Sequence, residues 1–247
     1  NPFEAVKTNV LGTQNLIEMA IERGVKKVIG ISTDKSVGTI NTMGATKLLA
    51  EKLIIDANFY KGDAPTVFSC VRFGNVMGSR GSVIPLFREQ IATGGPVTVT
   101  DKKMYRFMMS IKEAANLVLQ AGELAKGGDI FILKMPVIRL IDLAEVMIKN
   151  LAPRYGYRPQ EIKIKFIGVR LGEKLVESLI SEEESPFVQE TKKMFIIPVH
   201  IDIPHLKMER YKYPGARPAR IHSYTSETLQ PISQKEIEKM LKKEKFI

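Results

Sequence analysis

The chain has 247 residues, with 37 Lys plus Arg against 27 Asp plus Glu and a formal charge of +10. Its 44% hydrophobic and 26% charged residues suit one large domain, or a domain with a smaller appendage, and exclude a disordered, collagen-like or disulfide-built chain. One cysteine, Cys70, allows no intrachain disulfide and points to a reducing compartment such as the cytoplasm; no apolar run is long enough to cross a bilayer, and the opening residues do not read as a signal peptide.

Asn1 and Pro2 read as an N-cap and first helical position, so the chain opens inside a helix rather than at a Met and is expected to be a piece of something longer. Phe3, Val6, Val10, Thr13, Ile17 and Ala20 recur at spacings of three and four, which predicts one buried helical face ending at Gly24. Lys27 to Ser32 is a mostly apolar run, read as a strand buried on both faces. A polar loop from Thr33 to Thr42 follows, then a helix over Met43 to Phe59, a strand over Pro65 to Phe73 and a glycine-rich loop from Gly74 to Ser82. Val83 to Thr93 reads as a helix and Val97 to Thr100 as a short strand.

Ser110 and Glu113 have the spacing of a capping box opening a helix that runs to about Ala125. A strand over Asp129 to Leu133, a helix over Ile138 to Asn150, a strand over Ile162 to Gly168 and a short helix around Lys174 to Ile180 come next. Met194 to Pro198 reads as a strand, and Ser233 with Glu236 caps a last amphipathic helix over Lys235 to Lys243. Helix and strand alternating at these spacings predict an α/β fold with a mostly parallel, doubly wound sheet, and a smaller mixed lobe beyond about Val83. Ligands of such sheets sit beyond the carboxyl ends of the strands, so the loops after Ser32 and Phe73 are where chemistry is expected.

From Leu206 to Ile247 there are ten Lys or Arg and five Asp or Glu, half of the net charge. Such an excess suits a solvated face, a phosphate-bearing anionic substrate or a nucleic-acid surface. No aromatic-interleaved basic stretch or helix-turn-helix pattern supports nucleic acid.

The first loop reads Ser32-Thr33-Asp34-Lys35, and the next helix begins Met43-Gly44-Ala45-Thr46-Lys47. An acid beside an amine at a strand end, with a second amine one turn into the following helix, is a plausible proton-transfer centre. The plain alternative is a polar loop whose Thr33 and Asp34 serve as turn and cap residues. The second loop, Arg72-Phe73-Gly74-Asn75-Val76-Met77-Gly78-Ser79-Arg80-Gly81-Ser82, offers backbone amides and guanidinium forks that suit phosphates, or is an ordinary glycine-rich turn.

Taken together, Ser-Thr-Asp-Lys, Met-Gly-Ala-Thr-Lys, the run from Arg72 through Ser82 to Val83-Ile84-Pro85-Leu86-Phe87, and Arg170-Leu171-Gly172-Glu173-Lys174 resemble, in that order, the nucleotide-sugar 4,6-dehydratases. These form the polysaccharide-biosynthesis branch of the extended short-chain dehydrogenase/reductases. The opening Asn-Pro-Phe-Glu-Ala-Val-Lys-Thr-Asn-Val-Leu-Gly-Thr-Gln-Asn also resembles this family's helix before the catalytic strand, and the likeness runs to about Pro198. It implies residues 1–82 as the C-terminal part of a dinucleotide-binding, Rossmann-like domain. Residues 83–200 would be mainly a substrate lobe with returning elements of the main sheet, and residues 201–247 a basic tail with a terminal helix.

The resemblance further implies a lyase that recycles NADP, or NAD, while eliminating water from a UDP-N-acetylglucosamine-like substrate to give a 4-keto-6-deoxy sugar for surface polysaccharide. Lys35 would remove the C5 proton, Asp34 would assist departure of the C6 hydroxyl, and Thr33 would hydrogen-bond the C4 oxygen. Lys47, with Ser32 and Arg72, would serve the cofactor. Arg80, Arg106, Arg170 and Lys174 would take the diphosphate, Glu173 a ribose hydroxyl, and Asn75 and Ser82 the substrate. Met43 stands at the catalytic position where the wider superfamily has tyrosine; a thioether cannot donate a proton, so the C4 hydroxyl falls to Thr33, Asp34 or Lys35.

No strand–GxGxxG–helix occurs in the sequence, and Gly74, Gly78 and Gly81 come too late in the fold to replace it. About three strand–helix units are therefore expected ahead of Asn1, and the chain alone is expected to bind NADP poorly. The alternatives are a UDP-sugar 4-epimerase on the same scaffold, or a non-catalytic fragment that pairs its sheet edge with a second polypeptide. A homo-oligomer is a further expectation, and no nucleic acid or membrane partner is implied. His200, His205 and His222 show no metal-ligand spacing with each other or with Cys70, and Glu182-Glu183-Glu184 reads as a solvated turn.

Overall fold

The computed structural model describes residues 1–199 and 212–247, so His200, His205 and the first part of the basic tail lie outside the described residues. In chain order the elements are α1 (Pro2–Ala5), α2 (Gly12–Glu22), β1 (Lys27–Thr33), α3 (Thr42–Tyr60), β2 (Val67–Phe73), β3 (Asn75–Val76), α4 (Val83–Ala92), β4 (Val97–Val99) and β5 (Tyr105–Met109). Next come α5 (Ile111–Leu124), β6 (Ile130–Leu133), β7 (Val137–Arg139), α6 (Leu140–Leu151), β8 (Ile164–Phe166) and β9 (Ser178–Ile180). Two short strands, β10 (Gln189–Glu190) and β12 (Arg217–Pro218), flank β11 (Met194–Ile197) in the sequence, and α7 (Gln234–Lys243) closes the chain.

Local chemistry explains several helix ends. The Ser110 backbone N–H and hydroxyl reach the Glu113 carboxylate at 2.8 and 2.9 Å, and Ser233 and Glu236 repeat the arrangement at 2.8 and 2.7 Å. Asn41 caps α3 by accepting from Gly44 N at 2.8 Å. Gly24 adopts φ +61° just past α2, a conformation that costs glycine nothing, and the next amide, Val25 N, donates back to Ala20 O.

The chain forms two units: residues 1–73, 115–134 and 178–224 make the first, and residues 74–114, 135–177 and 225–247 the second. Residues 83–200 thus contribute to both units. The first unit holds a six-stranded sheet in the order β1-β2-β6-β11-β10-β12. β1, β2 and β6 run parallel, and β11, β10 and β12 follow antiparallel. Ile54 of α3 packs against Gly30 and Cys70 on one face. Leu117, Ala121 and Ala125 pack with Val71, Phe131 and Ile196 on the other. Helices on both faces of a parallel core make this unit a doubly wound, Rossmann-like α/β sheet.

Two expectations fail in this unit. β1 is an edge strand with Ile31 53% exposed, because no strand among the described residues pairs with its outer side. The N-terminal helical face is only half buried: Ile17 and Ala20 are covered, but Phe3 is 81% exposed. A π-helical stretch, Val6–Leu11, separates α1 from α2 and breaks the three-and-four register, so the stripe does not continue along one face.

The second unit contains a three-stranded sheet, β3-β5-β7, and a parallel pair, β4 with β8. Its core gathers Ile84, Phe87 and Ile91 of α4, Leu143, Met147 and Leu151 of α6, and Ile237 and Leu241 of α7. β5 and β7 were not anticipated: Phe107, Met108 and Met109 are all buried, so the run lacks the alternation that marks a strand. The helix expected over Lys174 to Ile180 is absent. Its end is strand β9, of the first unit, in which consecutive Leu179 and Ile180 are both fully buried.

Candidate active site

In the first unit, the carboxyl end of β1 turns directly into a short 3-10 helix, Asp34–Ser36. The Asp34 carboxylate is buried, 2% exposed, yet it accepts from the Thr33 hydroxyl at 2.6 Å and pairs with Lys35 Nζ at 3.1 Å. Lys35 keeps 45% of its side chain exposed, so the pair has one partner inside and one at the surface. Gly44 holds α3 against this turn; a Cβ there would lie 2.4 Å from the Lys35 carbonyl oxygen. That close approach sets Met43 and Lys47 beside the Thr33–Lys35 turn, on the first turns of α3.

Met43 is half exposed, and its sulfur accepts from Asn9 Nδ2 at 3.7 Å. Asn9 also donates to the Thr46 hydroxyl at 3.0 Å, a role that sequence reasoning missed because Asn9 lies within the irregular π-helical stretch. Lys47 Nζ donates to Ile31 O at 2.5 Å. An ammonium has three protons, so Lys47 retains capacity for the hydroxyls of a ribose. A groove of about 300 Å³ along β1 is lined by Ser32, Lys47 and the apolar Val28, Ile29, Ile54 and Cys70. An apolar groove with one ammonium at its polar end is a donor set that fits a nicotinamide riboside. Burial pushes the Cys70 thiol well above its usual range, so it contributes no thiolate.

Arg72 does not join that surface, and Ser32 lines it with its hydroxyl turned to the protein. The Ser32 hydroxyl is buried and meets Ser36 Oγ at 3.1 Å, and Ser36 in turn donates to Thr33 O at 2.6 Å. Arg72 is 2% exposed, and all five of its N–H donors go to the protein. Nε and Nη2 reach Glu51 at 2.9 and 2.7 Å, Nη1 and Nη2 reach Glu184 at 2.8 and 2.6 Å, and Nη1 reaches Leu179 O at 3.0 Å. Its expected part in cofactor binding is therefore corrected: with every donor used internally, it braces the end of β2. Glu184 likewise departs from a solvated turn. Burial pushes its carboxyl up, the Arg72 guanidinium more than offsets this, and the net value lies below the usual range.

The second unit holds a partly open cavity of about 240 Å³ whose lining includes Asn75, Ser82, Arg106, Arg170 and Glu173. Asn75 comes from β3 and Arg106 from β5; β3 and β5 run parallel with Asn75 opposite Met108. Ser82 stands at the N-cap position of α4 without a side-chain capping bond, and Arg170 and Glu173 share a tight turn closed by Glu173 N to Arg170 O at 3.0 Å. Arg80, exposed in the preceding turn, and Lys174 are not among the cavity's lining residues.

The electrostatics of this cavity are unevenly settled. Arg106 is 8% exposed, and its guanidinium pairs with Glu177 at 3.1 Å and Glu173 at 3.5 Å while donating to Tyr105 O at 2.8 Å. Ser82 Oγ and Glu173 Oε2, by contrast, are buried and have no hydrogen-bond partner among the described residues. Two such atoms in one cavity represent unmet hydrogen-bonding capacity that a polar ligand would satisfy. Glu177, a buried neighbour of Asn75 and Arg106, is the residue that sequence reasoning missed here. The helix expected across it hid it.

Against known proteins, the family model described as "Polysaccharide biosynthesis protein" matches residues 1–199. An uncharacterized membrane protein of Methanocaldococcus jannaschii is 63% identical over 197 residues, 80% of this chain and 59% of its own length. An inverting UDP-N-acetylglucosamine 4,6-dehydratase of Campylobacter jejuni is 42% identical over 198 residues, 80% of this chain and 56% of that protein. A UDP-glucose 4-epimerase of Rickettsia rickettsii is 41% identical over 241 residues, 97% of this chain and 68% of that protein. Among solved structures, Pen from Bacillus thuringiensis superposes with a TM-score of 0.87 at 46% identity, covering 100% of this chain and 71% of that one. The chain thus spans little more than half the length of the archaeal and Campylobacter relatives.

Proposed function

The chain belongs to the polysaccharide biosynthesis protein family, and from that premise we propose that it carries the catalytic and substrate-binding part of a nucleotide-sugar 4,6-dehydratase. The substrate is a UDP-N-acetylglucosamine-like sugar, as in the name of the Campylobacter relative. The observation that carries this reading is the buried Asp34 carboxylate, which accepts from Thr33 at 2.6 Å and pairs with Lys35 at 3.1 Å. A carboxylate and an amine in contact, one buried and one open to solvent, can exchange roles as acid and base.

A bound nicotinamide dinucleotide would supply the hydride acceptor at C4 and the hydride donor at C6. Lys47 would hold its ribose hydroxyls. The protein's own residues move the protons. Thr33 Oγ1 accepts the C4 hydroxyl proton while giving its own to Asp34 Oδ1, along the hydrogen bond already present. This assignment covers the step that the Met43 thioether cannot perform. Asp34, now an acid, delivers that proton to the C6 hydroxyl, which leaves as water. The Lys35 amine takes the C5 proton; because its nitrogen is open to solvent, its protons exchange with water, and one of them is delivered to C5 in the closing reduction. Ser82 and Arg170 would receive the diphosphate and Glu173 a ribose hydroxyl, and Arg106, held mainly by carboxylates, would add charge rather than a free fork.

The test is to join the chain to a strand–GxGxxG–helix segment ahead of Asn1 and supply UDP-N-acetylglucosamine with NADP. Formation of a 4-keto-6-deoxy product that Lys35→Ala abolishes supports the reading. Unchanged turnover removes Lys35 from the mechanism. A second reading, 4-epimerisation, is favoured by the name of the Rickettsia relative, which matches 97% of this chain. It predicts UDP-N-acetylgalactosamine and no loss of water.

A further inference from the structure

Glu177 is 4% exposed and stands just before β9. Its carboxylate joins two cavity-lining residues. Oε2 accepts from Asn75 Nδ2 at 2.8 Å and from Phe107 N at 3.3 Å, while Oε1 pairs with Arg106 Nε at 3.1 Å. Its backbone is fixed as well: Glu177 N donates to Ser226 Oγ at 2.9 Å, and Ser226 N donates to Glu177 O at 2.8 Å.

The consequence falls on Asn75. An amide offers two donors at nitrogen and one acceptor at oxygen, and an ionised carboxylate accepts only. Glu177 therefore requires the nitrogen end of Asn75 to face it. Both protons of that nitrogen are engaged, one on Glu177 and the other on Phe107 O at 3.2 Å. What Asn75 has left for a ligand in the cavity is Oδ1, an acceptor.

We propose that Glu177 is a positioning residue that fixes the Asn75 amide with its carbonyl oxygen toward the cavity, so that Asn75 selects a hydrogen-bond donor of the ligand. Phosphate oxygens, which only accept, are not its partner. A sugar hydroxyl or an acetamido N–H is. The proposal rests on the nucleotide-sugar reading of the cavity and refines it by assigning Asn75 to the sugar rather than to the diphosphate.

Two measurements test it. The first needs no ligand: hydrogen exchange of the Asn75 side-chain amide, identified by its loss in Asn75→Asp. Glu177→Met keeps the volume and removes the acceptor, and should speed that exchange about tenfold or more. If Glu177→Met does not fold, Glu177→Gln replaces it, since its own nitrogen must oppose a donor on Asn75 or on Arg106. Exchange as slow as in the wild type overturns the proposal. The second compares UDP-N-acetylglucosamine with UDP. The Glu177 variant should weaken the sugar nucleotide about tenfold, leave UDP within about twofold, and add nothing further on top of Asn75→Ala. Equal weakening of both ligands indicates a merely structural role and overturns it. A wild type that binds neither ligand defeats the nucleotide-sugar reading, and the exchange measurement then still decides whether Glu177 orients Asn75.

Discussion

The carboxyl ends of the strands in the first unit and the cavity of the second are both polar, buried and rich in charge, yet they handle hydrogen bonding in opposite ways. At the end of β2, Arg72 uses all five donors on Glu51, Glu184 and Leu179. In the cavity, Ser82 Oγ and Glu173 Oε2 meet no hydrogen-bond partner among the described residues. The first arrangement braces the end of β2 against α3 and the Leu179–Glu184 segment. The second leaves capacity for something that arrives. A buried polar group without a partner is costly, so a pair of them in one cavity points to a ligand, whereas a saturated cluster points to scaffolding.

The sharpest way to break this comparison is chemical. In the protein completed with a dinucleotide-binding segment, Lys35→Ala should lower dehydration by about 10²–10⁴-fold, the usual worth of a general base, with the fold intact. Product formation is read by mass and carbonyl chemistry. A small effect would reduce the strand-end cluster to a turn.

Next in size is the scaffold itself. Arg72→Met leaves Glu51 buried without its cation, and should cost about 3–5 kcal/mol of stability in urea unfolding of the first unit. If Arg72→Met proved neutral in stability but lost cofactor affinity, Arg72 would belong to the binding surface after all. Smaller, and of the opposite kind, is the cavity. Glu173→Gln and Ser82→Ala should leave unfolding nearly unchanged and weaken UDP-sugar binding by about 1–3 kcal/mol each, measured by calorimetry. Lost stability with unchanged binding would reverse the two regions' roles.

The smallest expected effect is a pH dependence. The folded Glu184 carboxyl lies below its ordinary value of 4.5, so the stability it lends is fully present above that pH and fades as pH falls through the lower folded value. Glu184→Gln should flatten the acid limb of the unfolding curve. An unaltered limb would mean that Arg72 holds Glu184 no more tightly when folded than unfolded.

What the sequence made legible follows the range of the interactions. The capping boxes at Ser110–Glu113 and Ser233–Glu236 span three residues and could be read directly. So could the adjacency of Thr33, Asp34 and Lys35. The Arg72–Glu184 contact joins residues 112 apart, and no local signal announces it. Arg72 therefore read as a phosphate ligand until its partners were seen. β5 was missed because Phe107, Met108 and Met109 are buried in succession, and Glu177 because a helix was expected over Lys174 to Ile180 where the chain enters β9. The half exposure of Ile31 on β1 was not legible, since an apolar run says that a strand suits a covered face and not whether it has one.

The central claim is that the Asp34–Lys35 pair moves protons on a hexose ring, and solvent deuterium tests it most directly. With UDP-N-acetylglucosamine in D2O, the completed wild-type protein should release one water per sugar and carry deuterium at C5 of the product, and Lys35→Ala should do neither. A product that retains its oxygen count and shows no deuterium at C5, or a Lys35→Ala protein that labels C5 at the wild-type rate, would contradict it.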